Sequence, residues 1–289
     1  MPLLASIPSP HTGEVHVGSV ALHAYGVMLL LGILGAVWLT GRRWTSRGGD
    51  WDLVFRVAMW GVAGGVVGAR MYHVLTSWSE VPDPKWQGVF EIWKGGLGIW
   101  GGILGGVLAG AIVVRRSGNS VYGFMDACAP GLLLAEAIGR WGNYFNQELF
   151  GKPTNLPWGL EIDVQNRPVQ YANQDTFHPL FLYESVWCLI GMGLLLLIDR
   201  RFRIRPPGLF ALYVAWYTAF RTYVETLRVD PAHHYLGHRL NFWVSIIVFV
   251  LAVIAFIWSQ RRGVEPRRPR RAPAPPGPKM ALPKSRVRR

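Results

Sequence analysis

Long apolar runs separated by short polar loops organise this chain. Segments 20–40, 95–114, 179–198, 207–225 and 241–259 each approach the roughly 20 mainly apolar residues that cross a bilayer as a helix. Two more, 52–77 and 121–139, have the length but carry ionisable side chains. The pattern predicts an all-α polytopic membrane protein with about seven transmembrane helices. Arg42, Arg43 and Arg47 follow the first segment, Arg115 and Arg116 the third, and Arg200, Arg201, Arg203 and Arg205 the fifth. With seven spans these groups and the basic C-terminus share one side. Positive charge marks that side as cytoplasmic, which puts the N-terminus outside. Trp78–Lys94, Gly139–His178 and Glu225–Asn241 then also face outward.

Composition agrees with lipid burial. Hydrophobic residues make up 51% of the 289 and charged ones 16%, against about 25% charged in a soluble domain. The net charge of +13 does not imply nucleic acid, because 11 of the 30 Lys and Arg lie in the last 29 positions among prolines. The expected organisation is a transmembrane domain over 1–260 and a disordered, basic, Pro-rich cytoplasmic tail over 261–289, drawn to anionic lipid. The N-terminus lacks the pattern of a cleavable signal peptide, so the first apolar segment is expected both to target the chain and to stay in the membrane. Cys128 and Cys188 lie in apolar segments and read as packing residues.

Glycine spacing supplies the helix packing. Gly98, Gly102, Gly106 and Gly110 recur every four residues, as do Gly61/Gly65 and Gly64/Gly68, which lets backbones approach closely. Ionisable residues inside spans are costly and mark sites. Here they gather toward the outer half of the bilayer. Arg70 lies late in the second span, followed by Tyr72 and His73. Glu136 and Arg140 are four apart on one helix face and can pair. Arg140 opens a polar stretch with Asn143, Asn146, Gln147 and Glu148. Tyr217, Arg221, Glu225 and Arg228, spaced 4, 4 and 3, fall on one helical stripe. His178, Tyr183 and Glu184 add polar groups at the start of the fifth span. A single Arg–Glu pair would be an interhelical salt bridge. Arginines converging from three spans, in excess over carboxylates, imply an anionic ligand held by guanidinium forks. Inside a membrane that anion is a phospholipid headgroup.

The stretch GRWGNYFNQELFG at 139–151 resembles the signature of bacterial prolipoprotein diacylglyceryl transferases. His23-Ala-Tyr25-Gly26, GARMYHV at 68–74, GGLGIWGG at 95–102, HPLFLYE at 178–184 and YTAFRTYVETLR at 217–228 resemble further family blocks in the same order. The resemblance implies an enzyme of the bacterial plasma membrane. It transfers the sn-1,2-diacylglyceryl group of phosphatidylglycerol to the thiol of the lipobox cysteine in a prolipoprotein signal peptide. Glycerol phosphate leaves and a thioether forms, the first step of lipoprotein maturation. The implied partners are phosphatidylglycerol, the signal peptide and membrane lipid, with no cofactor, no metal and no nucleic acid.

Negative charge grows on the departing phosphate, where fixed cations would stabilise the transition state. The resemblance carries that work to Arg140 and Arg221, with Glu148, Asn143 and Tyr217 also catalytic. Arg140, Asn146, Tyr25, Arg70, Glu225, Arg228 and Gly151 are the expected substrate contacts, Gly151 chiefly through its turn. Some relatives carry a histidine in the third-span glycine motif, proposed as the thiol base. Trp100 stands there in this chain, and an indole has no basic nitrogen. His73, Glu148 and Glu225 are alternative proton acceptors, and a thiol beside arginines also ionises more readily. Two other readings compete. A lipid transporter would use the same arginines but should show internal repeats. A precursor-binding scaffold leaves the Arg–Asn–Glu concentration unexplained.

Overall fold

The structure is a computed structural model that describes residues 6–17, 20–232 and 234–262. The tail expectation lies outside the described residues from 263 onward, as does His233. Each apolar segment forms a helix: α1 (Ala24–Ser46), α2 (Trp51–Thr76), α4 (Ile99–Arg116), α5 (Val121–Phe145), α6 (Leu180–Arg201), α7 (Gly208–Leu227) and α8 (Leu240–Arg262). A single turn, α3 (Lys85–Gly88), interrupts the α2–α4 connection. Six of the helices are long and apolar enough to cross a membrane. The helix outside that set, α7, spans 20 residues but is diluted by tyrosines, threonines, Arg221 and Glu225. The chain is therefore a helical multi-pass membrane protein.

Local chemistry explains several helix boundaries. The Asp50 carboxylate caps α2 by accepting from Asp52 N at 3.0 Å, and the Ser120 hydroxyl caps α5 through Gly123 N at 3.2 Å. An unexpected cap starts α7: Asp126, buried on α5, accepts from Phe210 N at 2.9 Å. Helix α5 continues six residues past the expected end at 139. Half of the polar signature is thus helical, and Asn146 is its C-cap.

Helix α5 runs through the middle, packed on α1 and α6 and also touching α7; α2 pairs with α4, and α7 with α8. The glycine ridges meet as expected in kind but are shifted by one residue. A Cβ added at Gly101 would lie 2.2 Å from Gly68 O, and one at Gly105 would lie 2.3 Å from Gly64 O. The flanking Gly102 and Gly106 rows face Gly65 and Gly61 less tightly. Leu30, Leu34, Met59, Trp60, Leu104 and Ile254 lie exposed on the outer faces of the helices, where lipid replaces water as their surroundings.

At the basic end, Arg43 and Arg47 pair with Asp199, tying the end of α1 to the end of α6. At the opposite end the loops build a small cap. Strands β1 (Glu14–Val17) and β2 (Val20–His23) form a hairpin, as do β3 (Leu160–Glu161) with β4 (Thr176–Phe177) and β5 (His234–Tyr235) with β6 (His238–Arg239). Phe150, Leu160, Ile162, Phe177 and Phe181 are the core of this cap. Ile7 bridges to Leu160 and Gly151 to Arg228, so the chain's beginning, the segment after α5 and the segment after α7 are stitched together.

Candidate active site

Four guanidiniums and three carboxylates meet where α5, α6 and α7 reach the cap. Arg140 Nη2 lies 2.8 Å from Glu184 Oε2 and donates to Tyr217 Oη at 3.3 Å. Arg221 Nη1 lies 3.4 Å from the same Glu184 oxygen, and its Nη2 pairs with Glu225 Oε1. Glu225 also takes Arg239 Nε at 2.6 Å and Arg228 Nη1 at 3.9 Å. Asp230 joins Arg228 and Arg239, each at 2.7 Å. Burial works against the charge of Asp230, but the two guanidiniums outweigh it and hold the carboxyl below its usual range.

Helical geometry explains part of this convergence. Tyr217, Arg221 and Glu225 follow the predicted stripe on α7, while Arg228 is its C-cap, in extended conformation. Glu184 and Glu225 are both buried, which a carboxylate tolerates only when paired. The expected Glu136–Arg140 pair is replaced by one across helices. Glu136 instead accepts from Tyr213 Oη at 2.7 Å and lies 3.7 Å from Cys188 Sγ, leaving Arg140 to Glu184 on α6.

The rest of the signature surrounds a polar cleft. Asn143 Nδ2 donates to Glu148 Oε1 at 2.9 Å. Asn146 and Glu148 line a cleft of about 290 Å³ together with His11, Glu14, His23 and Asn166. Tyr25 packs on the bare face of Gly142, where a Cβ would lie 2.6 Å from the ring. Gly151 donates to His178 O at 3.0 Å, and a Cβ there would meet the His178 Cβ at 2.7 Å; its place is in the backbone turn. Burial lowers the pKa of His178. Arg70 stands apart from the other arginines. Its guanidinium donates to the carbonyls of Val89, Gly95 and Gly96 at 2.8–2.9 Å and to that of Gly88, fastening the α2–α4 connection.

Among the base candidates, Glu225 is held by three guanidiniums. His73 lies beneath Gly96, where a Cβ would be 2.5 Å from Nε2. Trp100 is exposed in the first turn of α4.

Sequence reasoning counted Gln147 and Glu184 among the polar residues of the outer half without giving either a role, and did not reach Asp230 or Arg239. Glu184 sat in a quoted motif but had no visible partner. Arg239 and Asp230 come from the segment between α7 and α8, outside any helical periodicity. Gln147 is buried, with φ of +50°. It donates to Pro10 O at 2.9 Å and Asp163 Oδ2 at 2.7 Å, and accepts from Asp163 N at 2.7 Å. The Gln147 amide, assisted by His11, holds the Asp163 carboxyl below its usual range.

The family model described as prolipoprotein diacylglyceryl transferase matches residues 13–258. A Streptomyces griseus protein named phosphatidylglycerol–prolipoprotein diacylglyceryl transferase is 49% identical, covering 89% of this chain and 79% of the relative. Relatives of the same name from Frankia alni and Bifidobacterium adolescentis are 50% and 43% identical, covering 91% and 90% of this chain and 70% and 82% of their own lengths. With a match of this extent over the signature and the later motif blocks alike, the chain belongs to the prolipoprotein diacylglyceryl transferase family.

Proposed function

We propose that the arginine–carboxylate cluster is the phosphate clamp of the transfer reaction. The chain is a membrane transferase of its family, and its reaction moves the diacylglyceryl group of phosphatidylglycerol to a prolipoprotein. The observation that carries the clamp is the charge inventory. Arg140, Arg221, Arg228 and Arg239 share Glu184, Glu225 and Asp230 within ion-pair distance. One positive charge is left over at the membrane-facing edge of the cap. A phosphodiester brings one negative charge, and the leaving monoester gains another.

The acceptor is the lipobox cysteine of a signal peptide. Its sulfur attacks the glyceryl carbon that bears the phosphate, the C–O bond breaks, and the electron pair leaves with glycerol phosphate. Arg140 and Arg221 meet that growing charge. Tyr217 steadies Arg140, Glu225, which Arg228 and Arg239 hold in place, steadies Arg221, and Asn143 holds Glu148 beside the reacting group. Tyr25 flanks the headgroup and Asn146 borders the glyceryl carbon from the adjoining cleft, while Gly151 and Arg70 serve through the backbone segments they fix. Seven spans in the plasma membrane, with the cap outside and residues 261–289 as a cytoplasmic tail, complete this reading. Its topological support is the clustering of arginines at the far ends of α1, α4 and α6.

The test uses purified protein with phosphatidylglycerol and a lipobox peptide, followed by mass spectrometry. A diacylglyceryl increment on the peptide cysteine, lost in Arg140→Ala, is the expected result. Full activity of Arg140→Ala would remove Arg140 from the clamp. Lipid movement across vesicles without any thioether would favour a transporter.

A further inference from the structure

The clamp leaves one step of the reaction without a residue: removal of the thiol proton. Resting on the function proposed above, we propose that His23, oriented by Glu14, is the base that takes this proton. His23 Nε2 lies 2.8 Å from Glu14 Oε1. The two residues are directly opposed partners at the open end of the β1–β2 hairpin, and Ala24 N donates to Gly13 O at 2.8 Å beside them. Opposed cross-strand residues hold their side chains together. In the neutral ring, a proton on Nε2 facing the Glu14 carboxylate leaves the lone pair on Nδ1, the arrangement a base requires.

Placement separates His23 from the other acceptors. Displacement at carbon is in line, with sulfur entering opposite the departing phosphate. The base and the phosphate clamp therefore belong on opposite sides of the attacked carbon. Glu184 and Glu225 lie among the arginines, on the leaving-group side, and are consumed by ion pairs. His23 lines the cleft that also contains Asn146 and Glu148. Arg140 precedes Asn146 by six residues on α5, about 9 Å along the helix axis. Tyr25, two residues after His23, lies on Gly142 between the two levels. The cleft is thus next to the clamp without coinciding with it.

His11, Glu14 and Glu148 are the other titratable groups lining the cleft. Glu148 is tied to Asn143, and a carboxylate is a weaker acceptor than imidazole for a thiol proton. In the step itself, Nδ1 of His23 takes the S–H proton, the sulfur pair forms the S–C bond, and the C–O pair departs with the phosphate. The imidazolium then returns its proton to water or to the monoester.

The test compares cysteine and selenocysteine lipobox peptides, since a selenol is already ionised at neutral pH. With the cysteine peptide, His23→Gln should lower kcat by about 10²-fold or more and abolish the acidic limb of the pH–rate profile. Glu14→Gln should shift that limb with a smaller loss. The selenocysteine peptide should restore His23→Gln toward wild type, while Arg140→Ala stays slow with both peptides. Wild-type rates in His23→Gln, or equal losses with both peptides, overturn the assignment, and a slow Arg140→Ala leaves the clamp standing in either case. Should His23→Gln not fold, an unchanged acidic limb in Glu14→Gln overturns it as well.

Discussion

Arg140 on α5 and Glu184 on α6 meet at 2.8 Å between Nη2 and Oε2, and neither residue's sequence neighbours supply this partner. Because Arg221 leans on the same oxygen at 3.4 Å, Glu184 is the hinge of the cluster. Removing one member of a buried pair costs about 3–5 kcal/mol, mostly through the uncompensated charge. Glu184→Ala is therefore expected to lower the thermal midpoint strongly and Glu184→Gln less. Phosphatidylglycerol should recover more stability in Glu184→Gln than in wild type, because the lipid phosphate can occupy the freed guanidiniums. Thermal denaturation with and without the lipid checks this, and identical lipid effects would speak against an anion clamp.

A second expectation concerns geometry as opposed to charge. Arg140 engages Glu184 and Tyr217 with one guanidinium, and a lysine ammonium has no planar fork. Arg140→Lys should lose about 10²–10³ in kcat while the protein stays folded. A kinetic titration of phosphatidylglycerol against this variant would reveal it; a near-normal kcat would mean that charge alone suffices.

The cap should loosen in acid. Gln147 and His11 hold the Asp163 carboxyl below its usual range, so their stabilisation is present above the unfolded Asp pKa of about 3.9 and is lost as pH falls through the depressed folded value. Gln147→Ala should reproduce at neutral pH the loosening expected of wild type only in acid. Limited proteolysis of the segment around Pro10, followed with pH, reads this out. Equal protection in the variant would show that the Gln147 bonds do not hold the segment.

Helix contact should respond sharply to single methyl groups. Gly101→Ala places a Cβ 2.2 Å from Gly68 O and is expected to destabilise by about 1–3 kcal/mol as α2 and α4 are pushed apart. Gly193→Ala on α6 meets nothing within 4 Å and should be neutral or slightly stabilising. Paired thermal melts of the two variants distinguish a contact ridge from simple helix propensity.

Much of the architecture was legible because lipid imposes a strict rule on sequence. A segment that crosses hydrocarbon must be long, apolar and helical; the seven expected segments all form helices, their ends shifted by up to six residues, and six of them are long and apolar enough to cross. The α7 stripe was legible for a related reason: three polar side chains at helical spacing must share a face. Glycine spacing announced close packing, although not which rows touch. The Gly101–Gly68 approach depends on the relative height of two helices, which neither helix encodes alone.

Partner choice was the part that folding decided. Glu136 is four residues from Arg140, yet its carboxylate turns to Tyr213 and Cys188, and Glu184 supplies the charge from another helix. Arg70 looked equivalent to Arg140 by depth and type, but the carbonyls of a returning loop claim it. Arg239 carries no pattern at all and reaches Glu225 because α8 packs along α7. The sequence by itself determined the helices, the polar signature and the family, since these follow from local hydropathy, spacing and motif order. Only the tertiary structure decided which cation meets which carboxylate, because a buried charge is matched by whatever group the packing of distant segments brings within about 3 Å.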